Sequence, residues 1–212
     1  MVDLKEFEQK AADLRVLGMK ISIGQDTVYE KYWDEDCRRN IYSASKSFTS
    51  CAVGFAVQEG LIDLDERLMD AFKEDIPNNP DENLKKATVK DLLTMTLGQE
   101  KGFLMGKQRP RMEEQNWVKA SLAIPFVYEP GTHFVYNNVG PYLAGILVQR
   151  RAGCDLLSYL TPRLLKPLGI RKTIWEVDPE GNTFGAGGLF LTVSELHKLG
   201  MFYLQNGCWN GK

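Results

Sequence analysis

The 212-residue chain has only two histidines, His133 and His197, and four cysteines, Cys37, Cys51, Cys154 and Cys208. No CxxC or Cys/His spacing connects them, which argues against a zinc site; no metal or cofactor is expected. The cysteines are widely spaced and no secretory pattern accompanies them, so free thiols are expected rather than a disulfide framework, with Cys51 as a small core residue. His197 falls mid-helix and His133 lies in the turn "PGTHF", where surface or packing roles are the default. A Ser-His-Asp triad is thus the poorer source of a nucleophile. No GxSxG surrounds any serine, which disfavours an ordinary nucleophile elbow.

Long apolar runs are also missing: none approaches the roughly 20 residues of a membrane-spanning helix. Nor does charge of one sign dominate. The 26 basic and 28 acidic residues are interspersed and leave a net charge of −2, without the basic stripe that nucleic acid or an anionic membrane would require. A small-molecule or peptide substrate is the expected partner. The opening "MVDLKEFEQKAADLRV" is amphipathic with early acids, unlike a signal peptide, and a cytoplasmic location is expected. Repeats and low-complexity segments are absent, and the hydrophobic content of 43% is enough to bury a real core.

Helical spacing of Leu4, Phe7, Ala11, Leu14 and Leu17 predicts a first helix over 3–17, closed by Gly18. Alternation in "MKISIGQDTVYEKYW" predicts a hairpin: Ile21 and Ile23 share a face of one arm, Val28 and Tyr32 share a face of the other, and Gly24-Gln25-Asp26 turns between them. Helices then dominate. The first spans 44–59, with Phe48, Cys51, Ala52, Phe55 and Ala56 as its stripe and Gly60 as its stop. "PNNPDEN" at 77–83 reads as a loop. Thr88 with Asp91, and Thr192 with Glu195, open further helices, and others are expected over 111–122, from Val139 onward, and over 155–166 with an interruption at Pro162. The order gives an α+β fold in which residues 1–42 supply a helix and hairpin to a sheet region, and 43–212 form a mainly helical region. A lone hairpin is marginal, and "NGCWNGK" follows a helix in turn-like residues, so a truncated polypeptide is expected.

The stretch "NIYSASKSFTS" places Ser43 and Lys46 three residues apart at a helix start, about 300° and 4.5 Å along the axis, so their functional groups can meet. A serine there has a backbone N–H directed where an oxyanion can form, and burial beside a helix N-terminus promotes a neutral lysine able to act as base. The plainer alternative also stands: roughly one Ser-x-x-Lys arises by chance in a chain of this length, and serine near a helix start is usually a cap. Tyr136-Asn137-Asn138 forms a second constellation before a helix. A tyrosine acidified by a nearby cation can pass protons, and an asparagine can hold a lysine or a substrate amide.

"SASK" followed by "FT", and later "YNNVGPYLAGIL", resembles the serine β-lactamase and penicillin-binding-protein superfamily. The Tyr-x-Asn pattern is similar to the branch of class C β-lactamases, D-alanyl-D-alanine carboxypeptidases, D-amino-acid peptidases and β-lactamase-fold esterases. "LIDLDERLMDAF", "ATVKDLLTMTLG", "YEPGTHFVYNN", "LLKPLGI" and "GAGGLFLTVSELHKLGMFYLQNG" resemble that branch's segments in its order, over about 19–212. The resemblance implies a β-lactamase/transpeptidase-like α+β fold, a helical block inserted into an antiparallel sheet flanked by helices, with the C-terminal strands missing here. It implies Ser43 as the acylated nucleophile, Lys46 as its activating neighbour, Tyr136 as proton shuttle and Asn138 as the amide holding substrate and lysine. The family's third motif, Lys-Thr-Gly or His-x-Gly on a strand, has no counterpart in these residues; "RKTIW" lies in the wrong place. Two functions follow: a serine hydrolase acting on an ester, amide or D-amino-acid peptide through an acyl-enzyme on Ser43, or a non-catalytic penicillin-binding-like or peptide-binding protein. The stretch 98–125 is a candidate groove wall or a solvated loop, with Trp117 and Phe103 either lining a site or packing.

Overall fold

The computed structural model describes residues 4–211. Along the chain, α1 (Lys5–Asp13) leads into the antiparallel hairpin of β1 (Gly18–Ile23) and β2 (Asp26–Tyr32), then β3 (Arg39–Asn40) and a single 3₁₀ turn over Tyr42–Ala44. Helices α2 (Ser45–Gln58), α3 (Leu68–Ala71), α4 (Glu82–Lys86), α5 (Val89–Thr94), α6 (Trp117–Leu122), α7 (Val139–Ala152) and α8 (Leu156–Leu160) follow, before β4 (Phe190–Leu191) and α9 (Val193–Leu204). β4 returns to pair antiparallel with β3, Arg39 opposite Leu191 and Asn40 opposite Phe190. The architecture is α+β, as the alternation-then-helix order predicts.

Two compact units result, one within 1–40, 164–173 and 190–212, the other within 41–163 and 174–189. In the first, Gly18 opens β1 instead of closing α1. A Cβ there would sit 2.7 Å from the Tyr32 ring, so the bare backbone is what lets the hairpin arms and that ring pack together. The expected helix over 3–17 is correspondingly shorter, and its residue 3 lies outside the described residues. The hairpin carries a bulge: Ile21 faces Tyr29 and Ser22 faces Thr27, so Val28 has no opposite residue and is exposed, while Tyr32 is half-buried. The shared face expected for Val28 and Tyr32 is broken at that point. His197 of α9 meets Ser22 of β1, with Oγ and Nε2 2.9 Å apart.

The second unit packs α2 against α7. Phe48, Ala52 and Ala56 of α2 are fully buried, whereas Cys51 and Phe55 on the edge of that stripe are only half-buried, so Cys51 is not the core residue expected. α7 is buried on every side from Val139 to Gln149 rather than along one face. Two other segments depart from the sequence reading, while the interruption expected at Pro162 is present. The helix expected over 111–122 is confined to α6, because the Asn116 side chain accepts from Lys119 N at 2.8 Å and starts the helix there; residues 109–111 form a separate 3₁₀ turn. The loop expected over 77–83 gives way to α4 at Glu82. Pro162, which has no N–H to donate, falls in a widened π-type turn over Thr161–Leu165 that ends α8. Cys37, Cys154 and Cys208 are exposed free thiols.

Candidate active site

The 3₁₀ turn before α2 presents Ser43. Its entry is set by Tyr42, a non-glycine residue in the left-handed region at φ 48° and with an exposed side chain, a conformation that costs on the order of 1 kcal/mol or more and persists only where the surroundings impose it. One turn on, α2 directs Lys46 back toward Ser43, and Nζ donates to Ser43 Oγ at 3.2 Å. The extended stretch before α7 brings the Tyr136 hydroxyl to the same oxygen, donating at 2.7 Å. Ser43 and Tyr136 are exposed, while Lys46 is half-buried and Asn138, at the N-cap of α7, is buried.

Lys46 has two shorter bonds than the one to serine, to Asn138 Oδ1 at 2.7 Å and to the Ala186 carbonyl at 2.6 Å. Asn138 is itself fixed. Its Nδ2 donates to the Leu104 carbonyl at 2.9 Å and its backbone N–H to the Phe103 carbonyl at 3.3 Å. The Ala186 carbonyl is held by a glycine-rich segment clamped to α2 on either side: Thr49 Oγ1 donates to the Gly185 carbonyl at 2.8 Å, and Leu189 N–H donates to Ser45 Oγ at 3.1 Å. Trp175 Nε1 adds a bond to the Gly187 carbonyl at 2.7 Å. The lysine end is therefore aimed by three chain segments far apart in sequence.

Burial, with a smaller push from the Arg109 cation, lowers the Lys46 pKa, although the adjacent Tyr136 phenol works against that shift. Burial alone would raise Tyr136, but the hydrogen bond to Ser43 and the neighbouring Lys46 ammonium outweigh it and bring the phenol below its ordinary value. Both groups are displaced toward losing a proton. The ammonium also lies 5.1 Å from the centre of the Tyr136 ring.

The structure thus brings Ser43, Lys46, Tyr136 and Asn138 together. His133 stacks on Tyr128 and hydrogen-bonds Thr132, well within its own turn. Trp117 is buried edge-on against Tyr142 and Phe184, a packing role, and Phe103 contributes its carbonyl to Asn138. Among the described residues no group of acidic, histidine or cysteine side chains is arranged to hold a metal, and no helix is long and apolar enough to cross a membrane. Three contributors escaped the sequence reading: the Ala186 carbonyl, the Leu104 carbonyl and Arg109. The run "GAGG" was the one visible signal, since a segment with so few side chains can bring its backbone close to a helix.

The chain is similar to known proteins in sequence and in fold. A methylbutanoyltransferase acting on monacolin J acid from Aspergillus terreus is 31% identical over 157 residues, covering 65% of this chain and 37% of that protein. A lovastatin esterase from Penicillium rubens is 31% identical over 150 residues, covering 60% of this chain and 37% of its own length. The chain therefore spans well under half the length of these curated relatives. An octameric penicillin-binding protein homologue from Pyrococcus abyssi superposes with a TM-score of 0.74 at 23% identity, over 97% of this chain and 57% of that one, and shares the fold. The Beta-lactamase family model matches residues 5–207, and the chain belongs to that family.

Proposed function

We propose that the protein is a serine hydrolase or acyl-transfer enzyme that forms an acyl-enzyme on Ser43 from an ester, amide or D-amino-acid peptide. The observation that carries this reading is the placement of one serine oxygen between two proton-carrying groups, Lys46 Nζ at 3.2 Å and the Tyr136 hydroxyl at 2.7 Å. A neutral lysine has two N–H bonds and one lone pair. Its two shorter contacts, to Asn138 and Ala186, occupy the N–H bonds and leave the lone pair facing Ser43. Ser43 Oγ then bonds to the substrate carbonyl carbon as its proton passes to Lys46, the tetrahedral species collapses, and the leaving alcohol or amine takes a proton through Tyr136. Water, or a second alcohol, attacks the acyl-serine by the same route reversed. Relatives named as an esterase and an acyltransferase support both outcomes, and they favour esters among the three substrate classes.

Intact mass after incubation with a fluorophosphonate and with a p-nitrophenyl ester tests the reading. One adduct per chain is expected, absent from Ser43→Ala. An unlabelled wild type, or an adduct that survives in Ser43→Ala, rules it out and leaves a binding module built on the family fold.

A further inference from the structure

The side-chain amide of Asn138 has two chemically unlike ends, and only one of them suits Lys46. Its Oδ1 accepts from Lys46 Nζ at 2.7 Å, while its Nδ2 donates to the Leu104 carbonyl at 2.9 Å. A carbonyl can only accept, so the Leu104 oxygen binds the Nδ2 end alone and sends the oxygen end to the lysine. That carbonyl is held by more than Asn138. Met105 N–H, which belongs to the same planar peptide, donates to Gln108 Oε1 at 2.9 Å, and fixing the N–H of a planar peptide fixes the opposed C=O. Leu104 takes up this orientation in the left-handed region, at φ 56°, with its side chain fully buried. The conformation is costly for a residue with a Cβ and persists only because the buried side chain and the flanking bonds impose it. Just upstream, Gly102 lets the chain lie against the Tyr136 backbone: a Cβ there would come 2.7 Å from the Tyr136 carbonyl oxygen.

We propose that Gln108 and Leu104 are positioning residues, and that the peptide they fix between Leu104 and Met105 decides which end of the Asn138 amide faces Lys46. The inference rests on the acyl-enzyme reading for its purpose, and on these hydrogen bonds for its existence. An ammonium would draw Oδ1 toward itself unaided. A neutral lysine would not, because it carries both N–H bonds and a lone pair and can pair with either end of an amide. With the amide reversed, Nδ2–H would donate into the lone pair that has to receive the proton of Ser43, whose Oγ lies 3.2 Å from Nζ. The Leu104 carbonyl is therefore needed in the one protonation state that reacts.

Hydrogen exchange of the Asn138 Nδ2 protons reads the amide directly, by NMR of protein carrying isotope-labelled asparagine, with the signal assigned from its loss in Asn138→Ala. Gln108 is exposed, so Gln108→Ala removes the acceptor of Met105 N–H without opening the core. Exchange is expected to quicken by about threefold, and Ser43 acylation by a fluorophosphonate to slow by a similar factor, as the loss of one modest hydrogen bond implies. Gln108→Glu keeps an acceptor oxygen and should return exchange to the wild-type rate. At Leu104, conformation and cavity make opposite demands. Leu104→Gly leaves the larger hole but adopts a positive φ freely, so exchange should be about fivefold slower in Leu104→Gly than in Leu104→Ala. Exchange unmoved in Gln108→Ala, or as fast in Gln108→Glu as in Gln108→Ala, overturns the proposal, and so does faster exchange in Leu104→Gly than in Leu104→Ala. Faster exchange with an unchanged acylation rate also overturns it, since the amide would then turn without consequence for Lys46. A wild type that takes no acyl group while the variants show the expected exchange pattern would refute the acyl-enzyme reading and leave the hold on Asn138 standing.

Discussion

For single residues, the decisive quantity is where the protons of the Ser43, Lys46 and Tyr136 cluster reside. Both ionisable members are displaced downward, so at any given pH more of the pair is deprotonated than the same groups would be in water. Acylation of Ser43 should therefore rise with pH and level off at a midpoint below the roughly 10.4 of an unperturbed lysine. A pH profile of fluorophosphonate labelling measures it, and a midpoint at or above that value contradicts the assignment of Lys46 as base. Asn138→Asp sharpens the sign. It puts a carboxylate where an amide oxygen now accepts from Lys46 at 2.7 Å, which favours the ammonium, and it deprives the Leu104 carbonyl of its donor. The profile should move to higher pH, and labelling at neutral pH should slow by at least about tenfold. Lys46→Ala removes the base altogether, with an expected loss of about 10² to 10⁴ in acylation rate and no change in the mass of the unlabelled protein beyond the substitution.

Between elements, close backbone approach and one exposed ion pair make separate predictions. Gly140 in the first turn of α7 lies where an added Cβ would come within 2.3 Å of the Leu92 carbonyl of α5. Alanine is the better helix former by about 1 kcal/mol, but the contact is with backbone, which cannot swing aside, so the steric term should win. Gly140→Ala should lower stability by about 1–3 kcal/mol in a denaturant titration, and because α7 carries Asn138 at its N-cap it should also slow labelling. At the end of α2, Glu59 receives Arg163 Nε at 2.6 Å, Nη2 at 3.1 Å and the Tyr159 hydroxyl at 2.9 Å. The arginine pairing lowers the Glu59 pKa. A depressed folded value means the contribution is present above the unfolded carboxyl pKa and is lost as the pH falls through the folded one. Arg163→Ala should thus destabilise at neutral pH and lose its effect in acid; with both side chains about a third exposed, solvent holds the difference below about 1 kcal/mol. What could be read in advance divides along the same line. The capping boxes Thr88/Asp91 and Thr192/Glu195 were legible because both partners lie within one turn, and so was Ser43 with Lys46. The start of α6 was misplaced because the side-chain cap at Asn116, which sets it, was not read from the sequence, and the bulge at Val28 was hidden because strict alternation carries no record of an unpaired residue. The carbonyls of Leu104 and Ala186 were illegible for a different reason: any residue type supplies a carbonyl, and only the tertiary fold decides which one meets Lys46 or Asn138.

Over the whole molecule, every partner named for Ser43, Lys46, Tyr136 and Asn138 belongs to the unit of 41–163 and 174–189, and so do Arg109 and Glu176. The other unit has a polar fastening of its own. Arg38 donates to Glu195 through Nε at 3.0 Å and Nη2 at 2.7 Å, and to the carbonyls of Arg171, at 3.0 Å, and Lys172. Glu195 is also the residue that completes the α9 capping box with Thr192, so one carboxylate serves a helix start and a forked arginine at once. Burial would raise its pKa, but Arg38 and the Thr192 N–H together lower it. Arg38→Ala removes four hydrogen bonds that tie the chain before β3 to α9 and to the backbone at 171–172, leaving a half-buried carboxylate with its capping partner. Charge-assisted bonds of this kind contribute about 1.5–3 kcal/mol, so the first transition in thermal unfolding should come several degrees lower. The chemistry should respond differently from the stability. At a temperature where the variant is still folded, its Ser43 labelling rate and the pH midpoint of that rate should match the wild type, because no group that sets the protonation of Lys46 has changed. A shifted midpoint in Arg38→Ala would mean that the determinants of Lys46, burial first among them, extend beyond the unit that contains it.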